Sequence, residues 1–128
     1  MGLIEASKNE SDLLLVTDPD ADRIGVAVRD KSEYRHLSGN EVGILLTNYL
    51  LEYCKIKGTL PIHPIVLKTI VTSDMVYPIC SDYNCKVVEV LTGFKYIGEQ
   101  IEHLKNKKDF VLGFEESCGY LIGTQVRD

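Results

Sequence analysis

The chain has 128 residues, about the length of one domain, and carries 14 Lys and Arg against 19 Asp and Glu for a net charge of −5. With 45% hydrophobic and 26% charged residues, it is neither a disordered tail, a collagen-like repeat nor a disulfide-dense miniprotein. A mildly acidic chain without a basic stripe is a poor nucleic-acid binder, and no apolar run approaches the roughly 18 to 20 residues that span a bilayer.

Glu5, Lys8 and Glu10 follow Met1 too closely for a signal-peptide core. The expectation is a soluble, cytoplasmic globular protein with no membrane partner. Cys54, Cys80, Cys85 and Cys118 have no zinc-type spacing, so they read as reduced core thiols. His36, His63 and His103 share no motif.

In chain order, Leu13–Val16 is a continuous apolar run, as expected of a strand buried on both faces. Ile24–Val28 and Tyr34–Leu37 are strand-like, separated by a turn at Asp30–Ser32. No helix is expected before Ser38. Ser38–Asn40 can cap a helix whose apolar face is Val42, Leu45, Leu46, Tyr49, Leu50 and Tyr53, at helical spacing. A Gly- and Pro-bearing loop over residues 57–64 precedes a short buried strand at Ile65–Leu67. Ser73 can cap a helix from Asp74 to Asp82, shortened by Pro78. Lys86–Leu91 is a strand, and Thr92 can cap a helix carrying Phe94, Ile97, Ile101 and Leu104, closed by Lys105–Lys108. Phe110–Phe114 and Tyr120–Ile122 are the last strands. From Asn40 onward helix and strand alternate, which predicts an α/β architecture with a largely parallel sheet and a boundary near Ser38.

Four polar turns follow predicted strands. In Asp18–Pro19–Asp20–Ala21–Asp22–Arg23, three carboxylates alternate, and an extended loop aims such a set at one point. At ~5 Å each pair repels by about 3 kcal/mol at an effective dielectric near 20, which a cation relieves. Three Asp, one Arg and a divalent ion sum to zero, and all-oxygen donors favour Mg²⁺ or Mn²⁺. An EF-hand is excluded, because its sixth and twelfth loop positions hold Arg23 and Arg29. A solvated acidic turn, an aspartyl phosphatase and a nucleotide-sugar transferase also fit this turn taken alone.

Lys68 places an ammonium at a strand end, and Lys95 sits in the first turn of a helix whose free N–H groups suit an anion. A solvent-facing Lys68 and a simple helix cap at Thr92 are the plain readings of these two turns. Gly113–Tyr120 holds Glu115, Glu116 and Ser117 between glycines, suited to vicinal hydroxyls or to a polar hairpin. A parallel sheet would gather these turns on one edge, giving a metal, cations for phosphate and acceptors for hydroxyls: the inventory for a phosphosugar.

Thr17–Arg23 resembles the metal-binding loop of the α-D-phosphohexomutases, in their bacterial phosphoglucomutase/phosphomannomutase branch. Leu37–Glu41, Lys68–Ser73, Thr92–Gly98 and Gly113–Ser117 resemble further blocks of that family, in family order and over nearly the whole chain. The resemblance implies residues 1–37 as the C-terminal, strand-rich part of a second domain and 38–128 as a third, layered α/β/α with a mixed, mostly parallel sheet. It implies a Mg²⁺-dependent isomerase that interconverts hexose 1- and 6-phosphates of the glucose or mannose class through a phosphoserine and a bisphosphate intermediate. Asp18, Asp20 and Asp22 would hold the metal, with Arg23 beside the phosphoserine. Lys68, Lys95, Glu115 and Ser117 would bind the phosphosugar.

The family's Ser-His-Asn-Pro motif and its fourth-domain phosphate loop do not occur in these residues. The expectation is therefore a fragment that is inactive alone, binds Mg²⁺ poorly and relies on the missing domains of its parent. The sugar stays open among glucose, mannose, glucosamine and pentose phosphates, as does the oligomeric state. Two other readings stand: a non-catalytic phosphosugar-binding or regulatory module, and a phosphatase using Asp18.

Overall fold

The computed structural model describes residues 2–124, so residues 125–128 of the expected second segment lie outside the described residues. It holds two sheets. The first is antiparallel, β1 (Leu13–Thr17), β2 (Ile24–Asp30) and β3 (Glu33–Leu37), in that order. The second runs β5-β4-β6-β7, with β4 (Ile65–Thr69) parallel to both β5 (Lys86–Val90) and β6 (Phe110–Phe114), and β7 (Tyr120–Ile122) antiparallel to β6.

The core of the second sheet is split between two clusters, and a register shift in the β4–β6 pairing at Ile65/Val66 accompanies the parting of Phe110 from Leu112. Val66, Val111, Leu112 and Phe114 pack with Leu51 of helix α2 (Gly39–Lys57) and with Val76 and Cys80 of α3 (Val76–Ser81). Leu67 and Phe110 pack instead with Ile97 and Ile101 of α4 (Phe94–Glu102). The second sheet is thus covered on both faces, and the mixed α/β/α architecture stands as expected. Among the described residues, no helix is long and apolar enough to cross a membrane.

Several local expectations change. A short helix, α1 (Gly2–Lys8), precedes the first strand and buries Ala6. Strand β1 is not buried on both faces: it is a sheet edge, and Leu13, Leu15 and Val16 are 51%, 55% and 51% exposed. A continuous apolar run does not distinguish a central strand from an edge whose outer side is bare. Helix α2 starts where expected, on a capping box in which Ser38 and Glu41 satisfy each other's backbone N–H groups, and it ends on left-handed Gly58.

Its buried face overlaps the predicted one only in part: Val42 is buried, and Leu46 and Leu50 pack partly buried against the core. Leu45, Tyr49 and Tyr53 point to solvent, with the two tyrosine rings stacked at 5.8 Å. The buried stripe is Gly39, Val42, Gly43, Thr47 and Leu51. A Cβ on Gly43 would lie 2.1 Å from the Phe114 ring, so small residues, rather than large apolar ones, mark where the helix meets the sheet. Ser73 does not cap α3, which begins at Val76 and keeps Pro78 in its first turn, where a missing N–H costs no helical bond. Thr92 does not cap α4 either. Gly93 takes that place at φ 117°, and the helix stops at Glu102, ahead of a separate 3₁₀ turn at Lys107–Asp109.

Candidate functional site

The Asp-rich turn is the connection of the β1–β2 hairpin. Asp18 Oδ2 accepts from Arg23 Nε at 2.8 Å and Oδ1 from the Arg23 backbone N–H at 3.3 Å, while the Asp18 carbonyl accepts from Ala21 N–H at 3.1 Å. Ala21 pays for the tight bend with a left-handed φ of 59°. This local wrapping brings one carboxylate oxygen from each of Asp18, Asp20 and Asp22 within 4.8 Å of one another.

Electrostatics then splits the group. For Asp18 the desolvation that would raise its pKa is outweighed by hydrogen bonds from Arg23 and Asp22, which hold it below the ordinary carboxylate range. The hydrogen bond with Asp18 pushes Asp22 up, helped by desolvation and by the nearby charges of Asp18 and Asp20. The turn thus carries more negative charge than Arg23 neutralises. Three exposed or half-exposed carboxylates offering hard oxygen donors fit a Mg²⁺-class cation.

The turn after β6 is built from Glu115 to Gly119. Glu115 N–H donates to the Gly119 carbonyl at 3.0 Å, and Ser117 Oγ donates to Glu115 Oε1 at 2.6 Å. Cys118 sits at φ 74°. The Cys118 carbonyl accepts from Ile24 N–H at 3.1 Å, which pins this turn to the end of the Asp-rich one. Asp18, Arg23, Ser117 and Cys118 line one open cleft together with Val16, Thr17 and Gly25. Gly119 packs so closely on Phe94 that a Cβ there would lie 2.9 Å from its ring, which sets the start of α4 beside the same turn. The neighbouring Lys95 is exposed, its ammonium 4.7 Å from the Tyr96 ring centre.

The four turns do not share one sheet edge, as expected from sequence. The Asp-rich turn belongs to the antiparallel sheet and reaches the others by docking on residues 115–119. Lys68 is a clearer correction. Its side chain is 0% exposed, and its ammonium donates to the Thr72 carbonyl at 2.9 Å and pairs with Asp74 at 3.1 Å and Glu89 at 2.8 Å. Burial alone would lower its pKa, but hydrogen bonds to Glu89 and Asp74 outweigh that and hold it above the usual lysine value. The ammonium is consumed inside the protein rather than offered to a phosphate.

Sequence reasoning missed the residues that fix the 115–119 turn from behind. Buried Thr69 donates to Glu116 Oε2 at 2.9 Å, and the Thr72 hydroxyl, 2.6 Å from that of Thr69 and 3.3 Å from Glu116 Oε2, donates to one of the two. Gly39 lies so close to the same turn that a Cβ would meet the Glu116 carbonyl oxygen at 2.0 Å. Tyr120 Oη donates to the Gly39 carbonyl at 3.0 Å, and Asn40 Oδ1 accepts from Ser73 N–H at 2.9 Å. Two threonines three apart after a strand were the only sequence signal, and they look like any polar loop.

Comparison with known proteins gives a consistent result. The model of the phosphoglucomutase/phosphomannomutase alpha/beta/alpha domain III family matches residues 38–128. A phosphomannomutase of Mycoplasmoides pirum is 38% identical over 123 residues, covering 96% of this chain and 22% of that protein. A phosphoglucomutase of Staphylococcus aureus strain N315 is 40% identical over 125 residues, with the same coverages. The chain therefore spans about a fifth of the length of these relatives. Among solved structures, a phosphoglucomutase/phosphomannomutase family protein from Burkholderia thailandensis superposes with TM-score 0.70 at 12% identity, over 94% of this chain and 23% of that one. Aspergillus fumigatus N-acetylphosphoglucosamine mutase, in complex with GlcNAc-6P and magnesium, gives 0.64 at 18% identity, over 93% and 26%.

Proposed function

The chain belongs to the phosphoglucomutase/phosphomannomutase family, and from that premise we propose that it carries the metal-holding and sugar-reading parts of a cytoplasmic phosphohexomutase. Residues 1–37 are then the end of one domain and 38–128 the next. The parent enzyme interconverts hexose 1- and 6-phosphates of the glucose or mannose class through a phosphoserine and a bisphosphate. What carries this reading is the single cleft in which the Asp-rich turn meets Ser117 and Cys118.

Asp18, Asp20 and Asp22 would hold Mg²⁺, which when bound acts as a Lewis acid and charge clamp on phosphoryl oxygens. Arg23 fixes the Asp18 carboxylate from two sides, which suits a carboxylate held as a ligand better than a free phosphatase nucleophile. Its exposed guanidinium also adds positive charge beside the cleft, in a supporting catalytic role next to the parent's phosphoserine. Glu115 and Ser117, already hydrogen-bonded to one another, present an acceptor pair for vicinal sugar hydroxyls. Lys95 supplies a cation at the start of α4 for the sugar's phosphate. Lys68 serves the site indirectly, by tying the Thr72 carbonyl and with it the loop that grips Glu116.

Backbone NMR of the pure chain tests the proposal. Added Mg²⁺ is expected to shift the amides of residues 20–23, weakly and without saturating at stoichiometric metal. Glucose 1-phosphate is expected to shift those of 115–118. A coupled assay is expected to show no mutase turnover, because the 128 residues hold no Ser-His-Asn-Pro motif. Shifts confined to other regions, or turnover by the isolated chain, would overturn it.

A further inference from the structure

Away from the cleft, the turn that closes α3 joins two cysteines through a backbone hydrogen bond. Cys85 N–H donates to the Cys80 carbonyl at 2.9 Å, and Asn84 N–H to the Ser81 carbonyl at 3.2 Å, with Asn84 in the left-handed region at φ 50°. That is the nested six-to-one and five-to-two pattern of a Schellman helix end, whose signature is a side-chain contact between its first and last residues. Here both residues are cysteines, buried in the same core cluster, and the Cys85 thiol donates to the Lys86 carbonyl at 3.8 Å. The backbone returns on itself at these two positions, as a disulfide's Cα separation of roughly 4.4–6.8 Å requires.

We propose that Cys80 and Cys85 form a redox-sensitive dithiol, which a peroxide converts into an intramolecular disulfide across the end of α3. The Cys80 thiolate attacks one peroxide oxygen; the O–O bond breaks, and the departing hydroxide takes up a proton as water. The Cys85 sulfur then attacks the sulfenic sulfur of Cys80, the S–S bond forms, and the hydroxyl leaves as water with the Cys85 proton. Two thiols and one hydrogen peroxide give one disulfide and two waters, with two electrons passing from sulfur to oxygen.

Cys80, in the helix, is written as the attacking sulfur and Cys85, in the turn after it, as the resolving one; the disulfide is the same with the roles exchanged. Both are buried, yet Ser81, Asp82 and Asn84 between them are exposed, so opening one short turn admits a molecule the size of peroxide.

Peptide mass spectrometry of the native chain, after hydrogen peroxide and then a maleimide block, reads this directly. Trypsin releases residues 69–86, which hold both cysteines and neither of the other two. The expected peptide is two hydrogens lighter and unblocked, and regains two blocking sites after reduction. A Cys54→Ser/Cys118→Ser double variant is expected to behave identically. Cys85→Ser is expected to carry Cys80 on to sulfinic acid, and if that variant does not fold, the native peptide decides. A doubly blocked 69–86 peptide after peroxide, or one cross-linked to Cys54 or Cys118, would overturn the proposal.

Discussion

Two polar regions of this molecule look alike in sequence and behave oppositely in structure. The Asp-rich turn of residues 18–23 lies largely in solvent, with three carboxylates gathered together and two of them, Asp18 and Asp22, paired with one guanidinium. The Lys68–Thr69–Thr72–Glu116 cluster lies at the end of β4, where Lys68 and both threonines are buried and the ammonium and both hydroxyls find protein partners. Among the described residues, no buried side-chain nitrogen or oxygen lacks a hydrogen bond. Burial forces pairing, because an unpaired polar group without water costs about 1–3 kcal/mol. Exposure lets surplus charge persist. The second region is therefore held by buried pairs, and the first keeps carboxylate charge that a cation would relieve.

The largest effect should come from wedging the second region apart. Gly39→Ala places a Cβ 2.0 Å from the Glu116 carbonyl oxygen, a backbone atom that cannot rotate away. A loss of about 3 kcal/mol is expected in urea unfolding. An unchanged midpoint would mean that the 115–119 turn does not rest on α2. Next comes Lys68→Met, which fills the same slot but removes the donors to Thr72, Asp74 and Glu89. About 2 kcal/mol is expected, moderated because Asp74 and Glu89 are partly in solvent. Thr69→Val removes one donor to Glu116 at nearly constant volume, and about 1 kcal/mol is expected from the same measurement.

Acid probes the same region more gently. Hydrogen bonds from Lys68 and then Tyr77 hold the Glu89 carboxylate below its ordinary pKa. A carboxylate whose folded pKa is depressed stabilises the fold above its unfolded value, and that contribution is lost as the pH falls through the folded one. Tm should therefore decline as the pH drops below about 4.3, the ordinary value for Glu. The Glu89→Gln variant should show a shallower decline across that window. Parallel curves would remove Glu89 from the account.

Elements with strong local signals were legible in the sequence: the helix cap at Ser38, the strands at Ile65–Leu67 and Phe110–Phe114, and the three alternating carboxylates. What was not legible depends on contacts between distant segments. Nothing local in Leu13–Thr17 says that it lies at a sheet edge. The inward face of α2 is set by Phe114 seated against Gly43, so the tyrosines, larger and more apolar, turn outward. Lys68 reads as a free cation until Glu89, twenty-one positions on, is brought beside it by the parallel pairing of β4 with β5. Glu116 reads as a ligand until Thr69 and Thr72 close over it.

The smallest effect on stability should come from the first region, and its sign is informative. Asp20 contributes repulsion to Asp22. Asp20→Asn relieves that repulsion, and a change within 0.5 kcal/mol, on the stabilising side, is expected without metal, roughly the range for an exposed substitution. Excess Mg²⁺ should reverse the order, because a ligand that binds only the folded state raises its stability, and the native turn binds with three carboxylates where the variant has two. Thermal unfolding of both proteins with and without Mg²⁺ gives the four values needed. A crossing of the two orders places the function of these carboxylates in cation binding. If the variant keeps the same small advantage in both conditions, the acidic turn is a solvated bend, and the contrast between the two regions is one of burial alone.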